Sequence, residues 1–350
     1  MPHLFTSILK DRHWDAVLIS SLPNVRYLTG FTGSNALALA LPDQMILFTD
    51  PRYTIQSKKE FPGRTVIVKG PLVAGMKRWL GKIPTLAFEN ERILFHTQQA
   101  VAAELPKRAK MEGMGPLLEE LRMVKSAAEI ALIRRAVEIN STAFEAAMKL
   151  FREGMTERDL AAEIDYQMHQ FGAEKPAFDT LVAFKQHSAL PHAHPREAKI
   201  EGNGLLLIDM GAFWHGYASD MTRMAHLGTP SQKTKTHYKA VLEALTMAEA
   251  SVKPGITAKK VDAVARKVLK SYGMEKLFTH STGHGLGLEI HEPPRIGKKM
   301  DTVLCAGMTI TIEPGVYMEG HQGVRIEDTI LVTEHGSETM TPTPKEMLLL

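Results

Sequence analysis

HSTGHGLGLEIHEPP (280–294) and TIEPGVYMEGHQGVRIED (311–328) decide the reading of this 350-residue chain. They hold His280, His284 and His291, then Glu313, Arg325 and Glu327. From Met308 to Glu313 apolar and polar residues alternate as in a strand, and they alternate again from Gly323 to Glu327. The segment between, Met318 to Gly323, is turn-prone, and Glu313 and Glu327 are equidistant from Gly320. A hairpin closed about Gly320 sets the two carboxylates opposite each other, roughly 5 Å apart at Cβ. Like charges so placed repel unless a cation lies between them. The stretch therefore predicts a metal.

The whole chain, 44% hydrophobic and 23% charged, suffices for two ordinary domains with their own cores. Its net charge of +3 is made of interspersed signs, which argues against a nucleic-acid partner. Cys305 is the only cysteine, which excludes an internal disulfide framework and fits a reducing compartment. Leu4 to Leu9 is a short apolar patch ended by Lys10, Asp11, Arg12 and His13, so it reads as neither a signal peptide nor a membrane span. A cytoplasmic protein without a membrane partner is expected.

Up to about Glu120, strand-like and helix-like stretches alternate. Ala16–Ser20, Ala36–Ala40, Met45–Phe48 and Thr65–Val68 read as strands, with helices over Thr54–Glu60, Leu72–Leu80 and Gln98–Leu105. This is an α/β domain of about 120 residues. Arg26 to Asn35 is rich in glycine and threonine without the spacing of a phosphate loop, and reads as a tight loop between strands. A long helix starts near Ser126, with Ile130, Ile133, Val137, Phe144, Met148 and Phe151 on one buried face. Met111 to Pro116 marks the boundary before it.

The remainder repeats itself. EGMTERDL (153–160) resembles PGITAKKV (254–261), with Thr156 and Thr257 placed to cap the helices that follow. After each helix pair a strand ends in an acid, Asp209 or Glu313, and a second acid follows, Asp220 or Glu327. The centre between Asp209 and Asp220 falls at Trp214/His215, so a second hairpin could set its acids opposite. Two such halves imply a pseudo-twofold domain with four carboxylates meeting in the middle. At an effective dielectric near 20, each like pair about 4 Å apart costs roughly 4 kcal/mol. Taken singly, each acid reads as a solvated strand end. The pairing, with His284 in a Gly-x-Gly loop beside it, argues for two divalent cations instead.

Asp209, Asp220, His284, Glu313 and Glu327 also resemble the five ligands of the dinuclear pita-bread metallopeptidases. These include Xaa-Pro dipeptidases (prolidases), Xaa-Pro aminopeptidases and methionine aminopeptidases. IDMGAFWHGYASDMTR (208–223), the quoted 280–294 stretch, TIEPGVY (311–317) and GVRIED (323–328) are similar to the proline-specific branch; GFTGS (30–34) and DPRY (50–53) are so more weakly.

The resemblance spans essentially the whole chain. It implies an α/β (α+β) protein, with a small N-terminal α/β domain over 1–120 and a C-terminal pseudo-twofold pita-bread domain over 121–350, an antiparallel sheet covered by helices. It implies two divalent ions, manganese first, with cobalt, zinc and iron as alternatives. Asp209 and Asp220 hold one, His284 and Glu313 the other, and Asp220 and Glu327 bridge. Glu313 takes and passes on a proton, while His192 in SALPH (188–192) and His291 donate to the substrate carbonyl. His280 is a further active-site histidine, and Arg325 binds a carboxylate or supports the ligands.

The activity implied is Xaa-Pro dipeptidase on proline-containing dipeptides. Xaa-Pro aminopeptidase on longer peptides is the alternative, and a non-catalytic peptide-binding module is a remote one. Methionine aminopeptidases fit less well, because their catalytic domain usually stands without a domain like 1–120. Creatinase-like and binding relatives typically lose metal ligands. A homodimer through residues 1–120 is implied as well. One departure is VAFKQH (182–187), which lacks the small glycine-containing segment expected before Ser188 and leaves the substrate loop's shape open. His187 and His194 read as exposed loop histidines.

Overall fold

The computed structural model describes residues 2–350. It divides into two compact units, one ending at Arg122 and the other beginning at Met123. The first carries α1 (Pro2–Arg12), β1 (Ala16–Ile19), α2 (Leu22–Thr29), β2 (Ala36–Ala40), β3 (Met45–Thr49), α3 (Thr54–Glu60), β4 (Arg64–Ile67), α4 (Leu72–Leu80), β5 (Thr85–Phe88), α5 (Phe95–Glu104), β6 (Lys110–Gly113) and α6 (Leu117–Met123). Its sheet runs β4-β3-β2-β1-β5-β6, with β2 antiparallel to both neighbours and the other pairs parallel. Helices cover both faces. Ala16, Leu18 and Leu39 pack with Met76, Leu80 and Val101 on one side, and Val17, Ile19 and Ala38 with Leu9, Val25 and Leu118 on the other. Burial on both faces is why these strands read as unbroken apolar runs rather than alternating ones.

Two expectations are corrected here. Arg26 to Asn35 is not simply a loop, because Arg26 to Thr29 complete α2. Gly30 then ends the helix at φ 76°, donating its N–H to the Arg26 carbonyl at 2.7 Å. A left-handed cap of this kind is where glycine carries least strain. The boundary falls later than Met111 to Pro116, whose first residues belong to β6 and pair with β5, the first unit running on to Arg122.

The second unit holds two long helix pairs, α7 (Ala127–Leu150) with α8 (Glu157–Gln170), and α9 (Gln232–Ser251) with α10 (Ala258–Ser271). Between the pairs come β7 (Lys175–Pro176), β8 (Leu181–Phe184), β9 (Gly204–Met210), β10 (Ala212–Trp214), β11 (Tyr217–Ala218) and β12 (Met221–Leu227). After the second pair come β13 (Gly283–Gly285), β14 (Glu292–Ile296), β15 (Thr309–Ile312), β16 (Gly315–Met318), β17 (Gln322–Arg325), β18 (Asp328–Val332), β19 (Ser337–Thr339) and β20 (Leu348–Leu349). Helix starts follow the capping chemistry. Ser126 with Glu129, and Thr156 with Asp159, form reciprocal capping boxes. Thr257 holds the matching place before α10, although its hydroxyl makes no cap bond.

Each helix pair is thus followed by a long antiparallel hairpin, β9 with β12 and β15 with β18. This is the pita-bread arrangement expected. β9 is buried on both faces: Leu206, Ile208 and Met210 pack with the α7/α8 core, while Leu205 and Leu207 face the α9/α10 core. Two-residue periodicity puts Asp209 on the second face, at its end.

Candidate metal centre

The later hairpin forms as its sequence predicts. Gly315 pairs with Arg325 and Met318 with Gln322, symmetrically about Gly320, whose φ is 69°. Ile312 opposite Asp328 continues the same register, so Glu313 and Glu327 face each other between the paired segments. The earlier hairpin is displaced from its expected centre. Trp214 pairs with Tyr217, leaving His215 and Gly216 at the tip with φ 46° and 77°. A two-residue turn of this type needs positive φ at both central positions. The expected centre would have forced Trp214 into that conformation. Thr222 therefore lies opposite Asp209, and Asp220 stands one step along, on the diagonal.

His284 arrives on β13, between Gly283 and Gly285. A Cβ at 283 would lie 1.9 Å from the Thr311 carbonyl oxygen, and one at 285 would lie 2.2 Å from that of Pro293. Only glycine allows β14 and β15 to close on the His284 backbone. Its Nε2 stands 3.6 Å from Asp220 Oδ2 and 3.5 Å from Glu313 Oε1. One ligand atom each from Asp220, His284 and Glu327 lie within 4.8 Å of one another. His284 Nδ1 is 3.1 Å from the Gly285 carbonyl oxygen. A carbonyl only accepts, so Nδ1 carries the proton and Nε2 turns a bare lone pair toward two carboxylates.

Such a cluster is electrostatically unbalanced without a cation. Burial, then repulsion from Asp209 and Glu313, lifts Asp220 well above the usual carboxylate range. Burial, Asp220 and Glu313 do the same to Glu327. Burial, opposed by Arg325 and helped by Asp209, lifts Glu313 to about 7. Asp209 Oδ1 and Glu327 Oε1 are buried and accept no hydrogen bond. Orphaned oxygens, crowded acids and one bare imidazole nitrogen make an oxygen-rich donor set that fits divalent ions.

The sign of the pH dependence follows. An acid whose folded pKa is raised stabilises the fold at low pH and loses that contribution as pH climbs through the folded value. Burial lowers His280 and His284 to about 4, and that opposing effect begins only below their unfolded value of 6.5. Metal-free protein should therefore melt at a higher temperature at pH 6.5 than at pH 8, and saturating divalent ion should reduce the difference to what buried Glu249, raised to about 7 outside the site, still contributes. Thermal melts with and without chelator check this; an unchanged or inverted slope in the metal-free protein would count against it.

Around the acids lies a second layer. Arg325 is buried, with Nη2 on Asp209 Oδ2 at 2.5 Å, Nε on Thr222 Oγ1 at 3.0 Å, and Nη1 on Tyr317 Oη at 2.7 Å and the Pro191 carbonyl at 3.2 Å. These contacts favour the ligand-supporting role of Arg325 over carboxylate binding. Thr222 passes the support on, donating to Glu327 Oε2 at 2.8 Å. Arg223 holds the Glu327 carbonyl at 2.6 Å and Asp328 at 2.6 Å. His280 Nδ1 is 2.8 Å from the Ser281 carbonyl, and its Nε2 is 3.0 Å from Tyr317 Oη. Both ring nitrogens are occupied, so His280 braces Tyr317 and Arg325.

A cavity of about 880 Å³ opens over these groups. His192, His194, His280 and His291 line it, with Phe178, Met300 and Arg295. His291 stacks edge-on to His284, their ring centroids 4.4 Å apart. All nine predicted site residues thus reach one cavity. His194 is exposed there as expected, whereas His187 is not: it is buried and bonded to Glu157 at 2.8 Å. Tyr317 and Arg295 were not singled out from the sequence, although two-residue alternation carries both. Tyr317 shares a strand face with Glu313, and Arg295 with His291. Arg295 is exposed and carries no ion pair among the described residues.

Fold and site together define a metal-dependent hydrolase. Residues 131–334 match metallopeptidase family M24, and residues 4–124 match the creatinase/prolidase N-terminal domain. The chain belongs to metallopeptidase family M24, and is accordingly a peptidase that works with divalent metal. It is 39% identical over 337 residues to a Xaa-Pro dipeptidase of Pyrococcus horikoshii, covering 95% of this chain and 94% of that one. Among solved structures it is similar to a Xaa-Pro dipeptidase from Bacillus anthracis, with TM-score 0.96, 35% identity and coverage of 100% and 99%. An X-Pro aminopeptidase from Thermotoga maritima matches with TM-score 0.91 and 37% identity over 97% of this chain and 98% of that one.

Proposed function

We propose that the protein hydrolyses the Xaa-Pro bond of dipeptides, with two divalent ions held by Asp209, Asp220, His284, Glu313 and Glu327. The observation that carries the dipeptide reading is Arg295, an unpaired guanidinium on the wall of the cavity that holds those ligands. A dipeptide ends in a carboxylate one residue past the scissile bond, and a guanidinium matches it bidentately. The donor set suits manganese first, with cobalt, zinc or iron as alternatives. What such ions supply is Lewis acidity, which polarises a carbonyl and makes water acidic enough to react near neutral pH. Glu313 receives the proton from the attacking water at its carboxylate and delivers it to the departing proline nitrogen. His192 and His291 donate ring N–H groups to the carbonyl oxygen as it gains charge. No helix among the described residues is long and apolar enough to cross a membrane.

We further read the enzyme as a cytoplasmic homodimer. Exposed Cys305 suits a reducing setting, and exposed Leu94 and Phe95 give the first unit an apolar patch suited to self-association. Light scattering showing a monomer would reject the dimer.

The second reading is a Xaa-Pro aminopeptidase, favoured by a cavity larger than a dipeptide fills. Arg295 decides between them. With Mn²⁺ present, wild type should cleave Ala-Pro with higher kcat/KM than Ala-Pro-Ala, and both far better than Ala-Ala-Ala. Arg295→Met should lower kcat/KM for Ala-Pro by one to two orders of magnitude, about 1.4–2.7 kcal/mol, and change Ala-Pro-Ala cleavage little. A tenfold tripeptide preference in wild type would establish the aminopeptidase instead.

A further inference from the structure

We propose that Glu157 is a positioning residue for His192, its single buried carboxylate latching both ends of the loop that carries that histidine. The inference rests on the reading in which His192 meets the substrate.

Glu157 is the first residue of α8 and is wholly buried. At the entry to the loop, the Phe184 N–H donates to Oε1 at 2.9 Å, and His187 Nδ1 lies 2.8 Å from Oε2 and 3.0 Å from Oε1. At the exit, the Arg196 N–H donates to Oε2 at 3.0 Å, and its guanidinium reaches both oxygens at 3.1 Å. A carboxylate offers about four lone-pair sites, and here donors from the two loop ends take all of them. Burial pushes its pKa up, but the bonds from Arg196, Phe184 and His187 more than reverse this and hold it below its usual range. The start of α8 favours the negative charge too.

The loop between these ends is under load. Lys185 sits at φ 53°, a left-handed conformation that glycine adopts far more readily than lysine. A lysine there costs about 1–2 kcal/mol, so the loop needs outside contacts to hold its shape. Ser188 supplies one, its Oγ accepting the Gly323 N–H at 2.9 Å. Gly323 has no room for a side chain, since a Cβ would lie 2.0 Å from the Ser188 carbonyl oxygen. Beyond Ser188 the side chains of Leu190 and His192 are exposed, while the Pro191 carbonyl accepts from Arg325 and Ala193 is buried. Were the latch released, Lys185 could relax and swing His192 away from the cavity.

His187→Leu removes one donor at similar volume, Arg196→Met removes another from a partly exposed position, and His187→Asn restores an N–H near Nδ1. Hydrogen exchange at the Phe184 and Arg196 amides should quicken by about tenfold or more in the first two variants and recover in the third, with α9 and α10 amides unchanged. Unchanged exchange at those two amides overturns the latch, whatever the substrate proves to be. In activity, His187→Leu should lower kcat for Ala-Pro by about tenfold at nearly constant KM, less than the roughly hundredfold that a full 1 Å misplacement can cost. Combined with His192→Ala it should lower kcat no further than His192→Ala alone. Losses that multiply in the double variant overturn the route through His192. Should wild type leave Ala-Pro uncut, the peptidase reading fails separately, and amide exchange still decides the latch.

Discussion

Stripped of metal, the Asp220→Asn protein should melt at a higher temperature than the wild type. It should then gain nothing from added divalent ion and retain less than about a thousandth of wild-type kcat/KM, because metal activation is lost. Asp220 is buried against Asp209, Glu313 and Glu327, and burial first, then their repulsion, raises its pKa. Asparagine keeps the shape and removes the charge, which relieves about 2 kcal/mol if half of one close pair's repulsion at a dielectric near 20 is recovered. The same change withdraws an anionic ligand, so the increment that ion binding gives the folded state, about 2.7 kcal/mol at a hundredfold excess over Kd, should vanish. Calorimetry of both proteins with chelator and with Mn²⁺, beside elemental analysis, decides it. A variant that still binds two ions would show that Asp220 is no ligand, and one that melts lower without them would show that its charge is not a net burden on the metal-free fold.

That expectation rests on geometry only partly visible in the chain. The hairpin about Gly320 was legible because its cues are local: alternating strands, a glycine at the centre, and acids at equal distances. The earlier hairpin carried a cue just as local, the His215-Gly216 pair, which favours a two-residue turn with positive φ at both positions. Centring by symmetry between the acids missed it by one residue, and Asp220 moved from opposite Asp209 to its diagonal. Arg26 to Asn35 failed for a related reason. A short helix ending in a glycine cap has the composition of a loop.

What local pattern could not reveal is pairing at long range. His187 and Glu157 are thirty positions apart, and Arg325 and Asp209 more than a hundred. A histidine in a polar loop is ordinarily solvated, and only tertiary packing turns it toward a buried acid. For Arg325 the sequence allowed two roles. Four hydrogen bonds favour the supporting one, made to β9 and β12 in the other half of the domain, a loop carbonyl and Tyr317.

Glu313→Gln should be the most informative single change to the chemistry. Its carboxylate lies 3.5 Å from His284 Nε2 and 3.5 Å from Thr311 Oγ1, and burial raises its pKa to about 7 in the metal-free protein. A divalent ion beside it favours the ionised form, so in the working enzyme this base ionises more readily than in the metal-free protein. Activity then requires that base ionised and falls as pH drops through its pKa. Glutamine can still offer one oxygen as a ligand, but it cannot take a proton. Losing a general base commonly lowers turnover by 10²–10⁴, about 3–5 kcal/mol in the barrier. The expected result is a kcat near a thousandth of wild type with KM changed only a few-fold, and an acid limb of the pH–rate profile that flattens. Metal content separates the two roles of the residue. If Glu313→Gln binds both ions and is still slow, the proton has been lost and the ligand kept. If it binds one ion and excess Mn²⁺ restores turnover, Glu313 is a ligand only, and the proton must be carried by another group.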